Sequence, residues 1–158
     1  MNTGPFHQFN IVGIALKAQS MTNNTFNGET ISEPQQLGRY LSFLWGGGAF
    51  AATVNGDLKI QGQKRSDSAW EDLTFADASV MRFPLTKFDD GGAAEGGALL
   101  GTVDLRRFDA TTYKAIRCVF VESGNAAALG AVIYVISDLF QTAPATQVDE
   151  LFALQRSA

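Results

Sequence analysis

Apolar and polar positions alternate along this chain in short runs broken by glycine, asparagine and proline, a pattern that predicts strands joined by turns. The run "FNIVGIALKA" (9–18) reads as a first strand, with Ile11 and Ile14 either side of Gly13. "QSMTNNTFNGET" (19–30) has loop chemistry, with Gly28 as a turn residue. "SEPQQLGRYLSFLW" (32–45) carries two competing signals. Ser32 and Gln35 have the spacing of a capping box, and Leu37, Tyr40, Leu41, Leu44 and Trp45 recur at helical intervals. Gly38 interrupts that pattern, and "RYLSFLW" is aromatic and apolar in the manner of a strand. A polar turn leading into a strand at 39–45 is therefore expected, broken by Gly46-Gly47-Gly48.

Further along, "AFAATVNGDLKIQGQ" (49–63) is strand-like, with Asn55-Gly56 as a tight turn or bulge. Leu58 and Ile60 face one way and Lys59, Gln61 and Gln63 the other, as in a half-buried antiparallel strand. "SVMRFPLTKF" (79–88) is a short strand disturbed by Pro84, and "DDGGAAEGG" (89–97) an exposed loop. "YKAIRCVFVES" (113–123) puts Ile116, Cys118 and Phe120 on one face, with Arg117, Val119 and Val121 opposite. "ALGAVIYVISDLF" (128–140) is apolar on both faces, which fits either a fully buried central strand or one face buried in a subunit contact. "QTAPAT" (141–146) reads as a linker, and Val148, Leu151, Phe152 and Leu154 make 147–158 a short amphipathic segment.

About eight short β segments without a long helix or an internal repeat predict an all-β fold. The expected form is an antiparallel β-sandwich, jelly-roll-like, over residues 10–140. Residues 1–9 form an N-terminal arm and 141–158 a C-terminal arm.

Composition narrows the function. The 158 residues suit one domain, and charged residues make up only 18%, below the usual ~25%. A surface built largely from Ser, Thr, Asn, Gln, Gly and Ala suits a protein packed against neighbours. The net charge of −4 argues against a nucleic-acid binder, since Lys64-Arg65 and Arg106-Arg107 are the longest basic clusters. No signal peptide opens the sequence and no run of ~18 apolar residues predicts a membrane span, so a chain made in a cytoplasm with no membrane partner is expected.

Candidate chemistry is sparse. His7 is the lone histidine and falls in the N-terminal arm; Cys118 falls on the inward face of a strand, as a small buried hydrophobe would. One His and one Cys cannot assemble an ordinary zinc site. The carboxylates Asp89-Asp90, Asp67 with Glu71-Asp72, and Asp104 with Asp109 lack calcium-loop spacing. Gly46–Gly48 is not followed by the Lys-Ser/Thr of a phosphate loop. No catalytic, cofactor-binding or metal residue is expected, and no enzyme. Trp70 beside Asp67, Glu71 and Asp72 leaves two readings: a carbohydrate platform, or a Trp that seals the end of the sandwich while Asp67 and Ser68 turn the chain. Leu73 and Phe75, continuing an apolar series, favour the second.

The order of segments resembles the small β-sandwich virion proteins of tailed bacteriophages, capsid decoration (cement) proteins among them. "RYLSFLWGGG" comes first, then "LKIQGQKRSDSAWEDL", an acidic-glycine loop, a Gly-Thr strand, "TTYKAIRCVFVES" and the closing "GAVIYVISDLF", over about residues 37–140. The resemblance implies a non-enzymatic structural protein of the virion, made in the host cytoplasm. It would bind the major capsid protein on the outer capsid surface, as a homotrimer whose many modest contacts are multiplied by symmetry. The alternative is a carbohydrate-binding module of a head or tail fibre that uses the Trp70 loop. Under the cement reading the two arms dock on the shell.

Overall fold

A computed structural model describes residues 10–21, 24–47, 56–75, 78–84, 99–122 and 128–139. Both expected arms, His7, Gly48, Asn55 and the loop 89–97 lie outside them. Ten strands and two 3-10 turns make up the described chain, without an α-helix.

Two antiparallel sheets face each other. The first has the order β1-β10-β4-β8, built from β1 (Asn10–Met21), β10 (Ala128–Leu139), β4 (Gly38–Gly47) and β8 (Leu99–Asp104). The second runs β2-β9-β5-β6, from β2 (Asn24–Asn27), β9 (Tyr113–Glu122), β5 (Gly56–Lys64) and β6 (Trp70–Asp72). Two short strands flank it: β3 (Ile31–Ser32) pairs with β9, and β7 (Arg82–Pro84) with β5. The pairing is nested, with β1 beside β10, β2 beside β9, β4 beside β8 and β5 beside β6. The chain is an all-β sandwich, as its pattern predicts.

Alternation builds the core. Leu41, Phe43 and Trp45 of β4 point inward with Val132 and Ile136 of β10. From the other sheet, Leu58 and Ile60 of β5 meet Ile116, Cys118 and Phe120 of β9, all fully buried. The Trp45 indole stacks on the Phe120 ring at 5.4 Å between centroids and 19° between planes. Such a pair contributes about 0.5–1.5 kcal/mol beyond the area it buries. Gly130 makes room for it: a Cβ there would lie 2.1 Å from Trp45 Cζ2.

The competition at 32–45 ends in the strand. Pro34–Gln36 is a single 3-10 turn, after which β4 runs unbroken. The capping box does not form, because Ser32 belongs to β3 and Glu33, at φ 44°, stands at the N-cap. Glu33 is held there by its own amide donating to Lys114 O and by Gln35 Nε2 and Arg65 Nη2 donating to its carboxylate, each side-chain bond 2.6 Å.

The expected loop at 19–30 is largely strand. Gln19, Ser20 and Met21 continue β1 against Gly130, Leu129 and Ala128, and Asn24–Asn27 pairs with β9. Polar side chains mark this stretch because β2 lies at an edge of its sheet with Asn24, Thr25 and Asn27 exposed to solvent. Beyond it the chain ties the two sheets together: Gly28 N donates to Cys118 O at 2.9 Å and Glu29 N to Ala15 O at 2.7 Å. Of the strand expected at 79–88, Arg82–Pro84 is present and 85–88 lies outside the described residues.

Candidate functional site

Trp70 is not a core plug. It pairs with Gln63, whose neighbours Leu58, Ile60 and Gly62 point into the sandwich, so the indole lies half-buried on the outer face. Leu73 does point inward and is 9% exposed, but it is an odd number of residues from Trp70 and so takes the opposite face. Phe75 is 44% exposed and does not extend an inward series. The tryptophan that fills the core is Trp45.

On that outer face a chain of polar contacts crosses three strands. The Arg117 guanidinium sits 4.3 Å from the Trp70 ring centroid. Its Nε and Nη2 donate to Gln61 Oε1 at 3.0 and 2.8 Å. Gln61 Nε2 in turn donates to Asp72 Oδ1 at 2.8 Å, and Lys59 Nζ reaches Asp72 Oδ2 at 3.3 Å. The Gln61 hydrogen bond, with help from Lys59, holds the Asp72 carboxyl below its usual range. Burial pulls the Arg117 guanidinium down from its ordinary value.

The remaining carboxylates are also engaged. Glu71 accepts from Lys64 Nζ at 2.5 Å and from the Tyr113 hydroxyl, which lowers its pKa and pushes that of Tyr113 up to about 12. Asp67 accepts from the Ala69 amide at 2.9 Å inside the β5–β6 turn, next to Ser68 at φ 60°. Asp67 and Ser68 therefore turn the chain, as expected. With one ring face under a guanidinium and Glu71 and Asp72 bonded within the fold, this corner fastens β6 to the sheet.

Cys118 is fully buried, and desolvation pushes its thiol up to about 12, so the nucleophilic thiolate is suppressed. Asp104 is chelated by Arg106 Nε and Nη2 at 3.0 and 2.6 Å, and its pKa falls to about 2. Asp109 caps its own turn by accepting from Thr111 Oγ1 and the Thr111 and Thr112 amides, and also falls to about 2. Gly46 and Gly47 close β4 opposite Ala131 and Gly130 and form no loop around an anion. Among the described residues no cluster of three His, Cys, Asp or Glu is placed to hold a metal.

The feature that stands out lies on the outer side of the first sheet. Register places Val12, Val135 and Ser42 in one row across β1, β10 and β4, and Ile14, Ile133 and Leu44 in the next. Val12 is 43% and Ile14 56% exposed; Ile133, Val135 and Leu44 are half-buried. The first row continues to Thr102 of β8, whose hydroxyl bonds that of Ser42 at 2.9 Å. Neither row carries a charge. Charges enter around these rows, as Lys17 with Glu29, Asp104 with Arg106 and Arg39 with Asp138, each paired within the chain.

β10 is thus a central strand whose Gly130, Val132 and Ile136 are buried while Ile133 and Val135 on the opposite face are partly open. Sequence reasoning found the two-sided β10 but missed its partner in β1. The signal was present, since Ile11, Val12 and Ile14 fall on both faces of a strand.

No protein-family model matches the chain, and no curated protein or solved structure does either.

Proposed function

We propose that this protein is a non-catalytic structural component that docks through the outer face of β1, β10 and β4 onto a larger assembly. The observation that carries the reading is the uncharged pair of rows around Val12 and Ile14. Monomers rarely leave a contiguous apolar face in water, and a sheet face without charge is suited to lie against another surface. Paired rim charges remove the electrostatic cost of bringing such a face up to a partner.

The assembly we infer is a tailed-phage capsid, with the chain as a decoration (cement) protein on the major capsid protein. The ordered segments at 37–140 support this, and the nested strand order supports a jelly-roll-like sandwich, one of the two-sheet architectures of viral capsid domains. A homotrimer would present three copies of the face at once and convert weak contacts into stable attachment.

The test is co-sedimentation of the purified full chain with emptied shells of its phage. Binding that saturates at a fixed number of copies per shell is expected. Shells that pellet without the chain, at concentrations far above those in an infected cell, would overturn the reading.

A further inference from the structure

The two long sides of the sandwich are closed differently. On the β1 side, the Gly28 and Glu29 amides bridge the sheets. On the β8 side lies a cleft of about 520 Å³, with Thr102–Asp104 of β8 along one wall and Leu73, Thr74, Phe75 and Met81 along the other. Much of its lining is apolar and aromatic: Leu73, Phe75, Met81, Phe108 and Tyr113 contribute to it, with the Phe108 and Tyr113 ring centroids 5.9 Å apart.

Three features of the cleft converge on one kind of occupant. First, β8 ends the order β1-β10-β4-β8, so among the described residues its second edge has no strand partner. An unpaired edge offers a row of amides and carbonyls to an added strand. Second, Phe75 stands 44% exposed at the opening, where a monomer gains nothing from it. Third, the lining includes three charged residues, and two are already spent. Asp104 is chelated by Arg106 and Asp109 is held by its turn. Arg107 remains, with no ion pair or hydrogen bond to another described residue.

We propose that this cleft binds an extended peptide segment of a partner protein in which apolar side chains stand next to a carboxylate. The peptide pairs with the edge of β8 that has no partner among the described residues, drops an apolar side chain between Phe75, Met81 and Phe108, and sets its carboxylate on Arg107. The cleft borders the outer sheet face at Thr102 and Asp104, but its test reads Arg107 and Phe75 rather than Val12 and Ile14, so it stands or falls independently of the assembly reading.

The probe is a fluorescein-labelled peptide, Val-Asp-Glu-Leu-Phe-Ala-Leu-Gln, which has this chemistry and copies residues 148–155 of the chain. Anisotropy titrations use the full chain and its Leu151→Ser/Phe152→Ser variant, so that occupation by the chain's own segment registers as tighter binding to the variant. Saturable binding of similar affinity to both proteins is expected, whereas much tighter binding to the variant would make the occupant the chain's own segment and overturn the partner reading. Arg107→Ala weakens it about tenfold, as loss of a charge-assisted contact does, and Arg107→Lys restores part of the loss. Phe75→Ala weakens it as well, while both substitutions, being at exposed positions, leave the melting temperature within a few degrees. A control peptide with Asn and Gln for its two acids loses affinity for the wild type but not for Arg107→Ala. No binding to either protein at millimolar peptide would overturn the proposal, as would binding indifferent to Arg107 and Phe75. Binding of octanoate at this cleft without binding of the peptide would make it a small-molecule site and also overturn it.

Discussion

Trp45 lies flat on Phe120 between the sheets, whereas Trp70 lies outside under Arg117, and substitution separates the two roles. Trp45→Ala is expected to cost about 3–5 kcal/mol in urea unfolding, as large core truncations do. Trp70→Ala removes a half-exposed ring and a cation–π contact, for a loss of about 1–2 kcal/mol. Equal losses would contradict the assignment. Gly130→Ala should cost about 1–3 kcal/mol or more, because the added methyl meets the Trp45 ring. The position of Trp70 was legible in principle: counting parity from Leu73 puts it outside. Its polar partners were not, since Gln61 and Arg117 are far apart in sequence and meet only through the β5–β9 register. Asp104 and Asp109 contribute to the acid response beside Glu33, Glu71 and Asp72. Their folded-state pKa values of about 2 lie below the ordinary carboxylate value of about 3.9, so what they contribute is complete above it and is lost as pH falls toward 2. The melting temperature should therefore drop between about pH 4 and pH 2, and Asp109→Asn should flatten that drop. An acid limb unaltered by Asp109→Asn would show that the turn makes no such contribution.

At the level of elements, the long strands could be read from alternation and the short ones could not. β4, β5, β9 and β10 carry apolar residues at every second position because one face of each must enter the core. β2, β3 and β6 are two to four residues long and lie beside a longer strand, so their hydrogen bonds come from a neighbour rather than from their own sequence. The β6 corner illustrates the point: Glu71 joins Lys64 and Tyr113, and Asp72 joins Gln61 and Lys59. Tyr113→Phe deletes the hydroxyl that Glu71 accepts, and should cost about 0.5–1.5 kcal/mol in chemical unfolding. Fold and strand order should be unchanged by it. A variant as stable as the wild type would mean that the Glu71–Lys64 pair alone secures the strand.

For the whole molecule, one face of the first sheet is closed by the partner sheet and the other carries two uncharged rows around Val12 and Ile14. The sequence announced this only in part, through the two-sided β10; the patch exists because β1 lies beside β10 and adds Val12 and Ile14 to the same rows. Neither strand alone makes a surface. The cleft beside β8 was not legible at all, because its walls come from segments about thirty residues apart that fold onto opposite sheets. If the outer face is the attachment surface, charge placed on it should abolish docking and spare the fold. Val12→Asp/Ile14→Asp alters two exposed side chains, so its circular dichroism and melting temperature should stay close to those of the wild type. The decisive measurement is co-sedimentation of this variant with emptied phage shells, alongside the wild-type chain. The account predicts saturable binding of the wild type and at least a hundredfold weaker binding of the folded variant, a loss of about 2.7 kcal/mol per site before avidity. Equal occupancy of the shells by both proteins would contradict it.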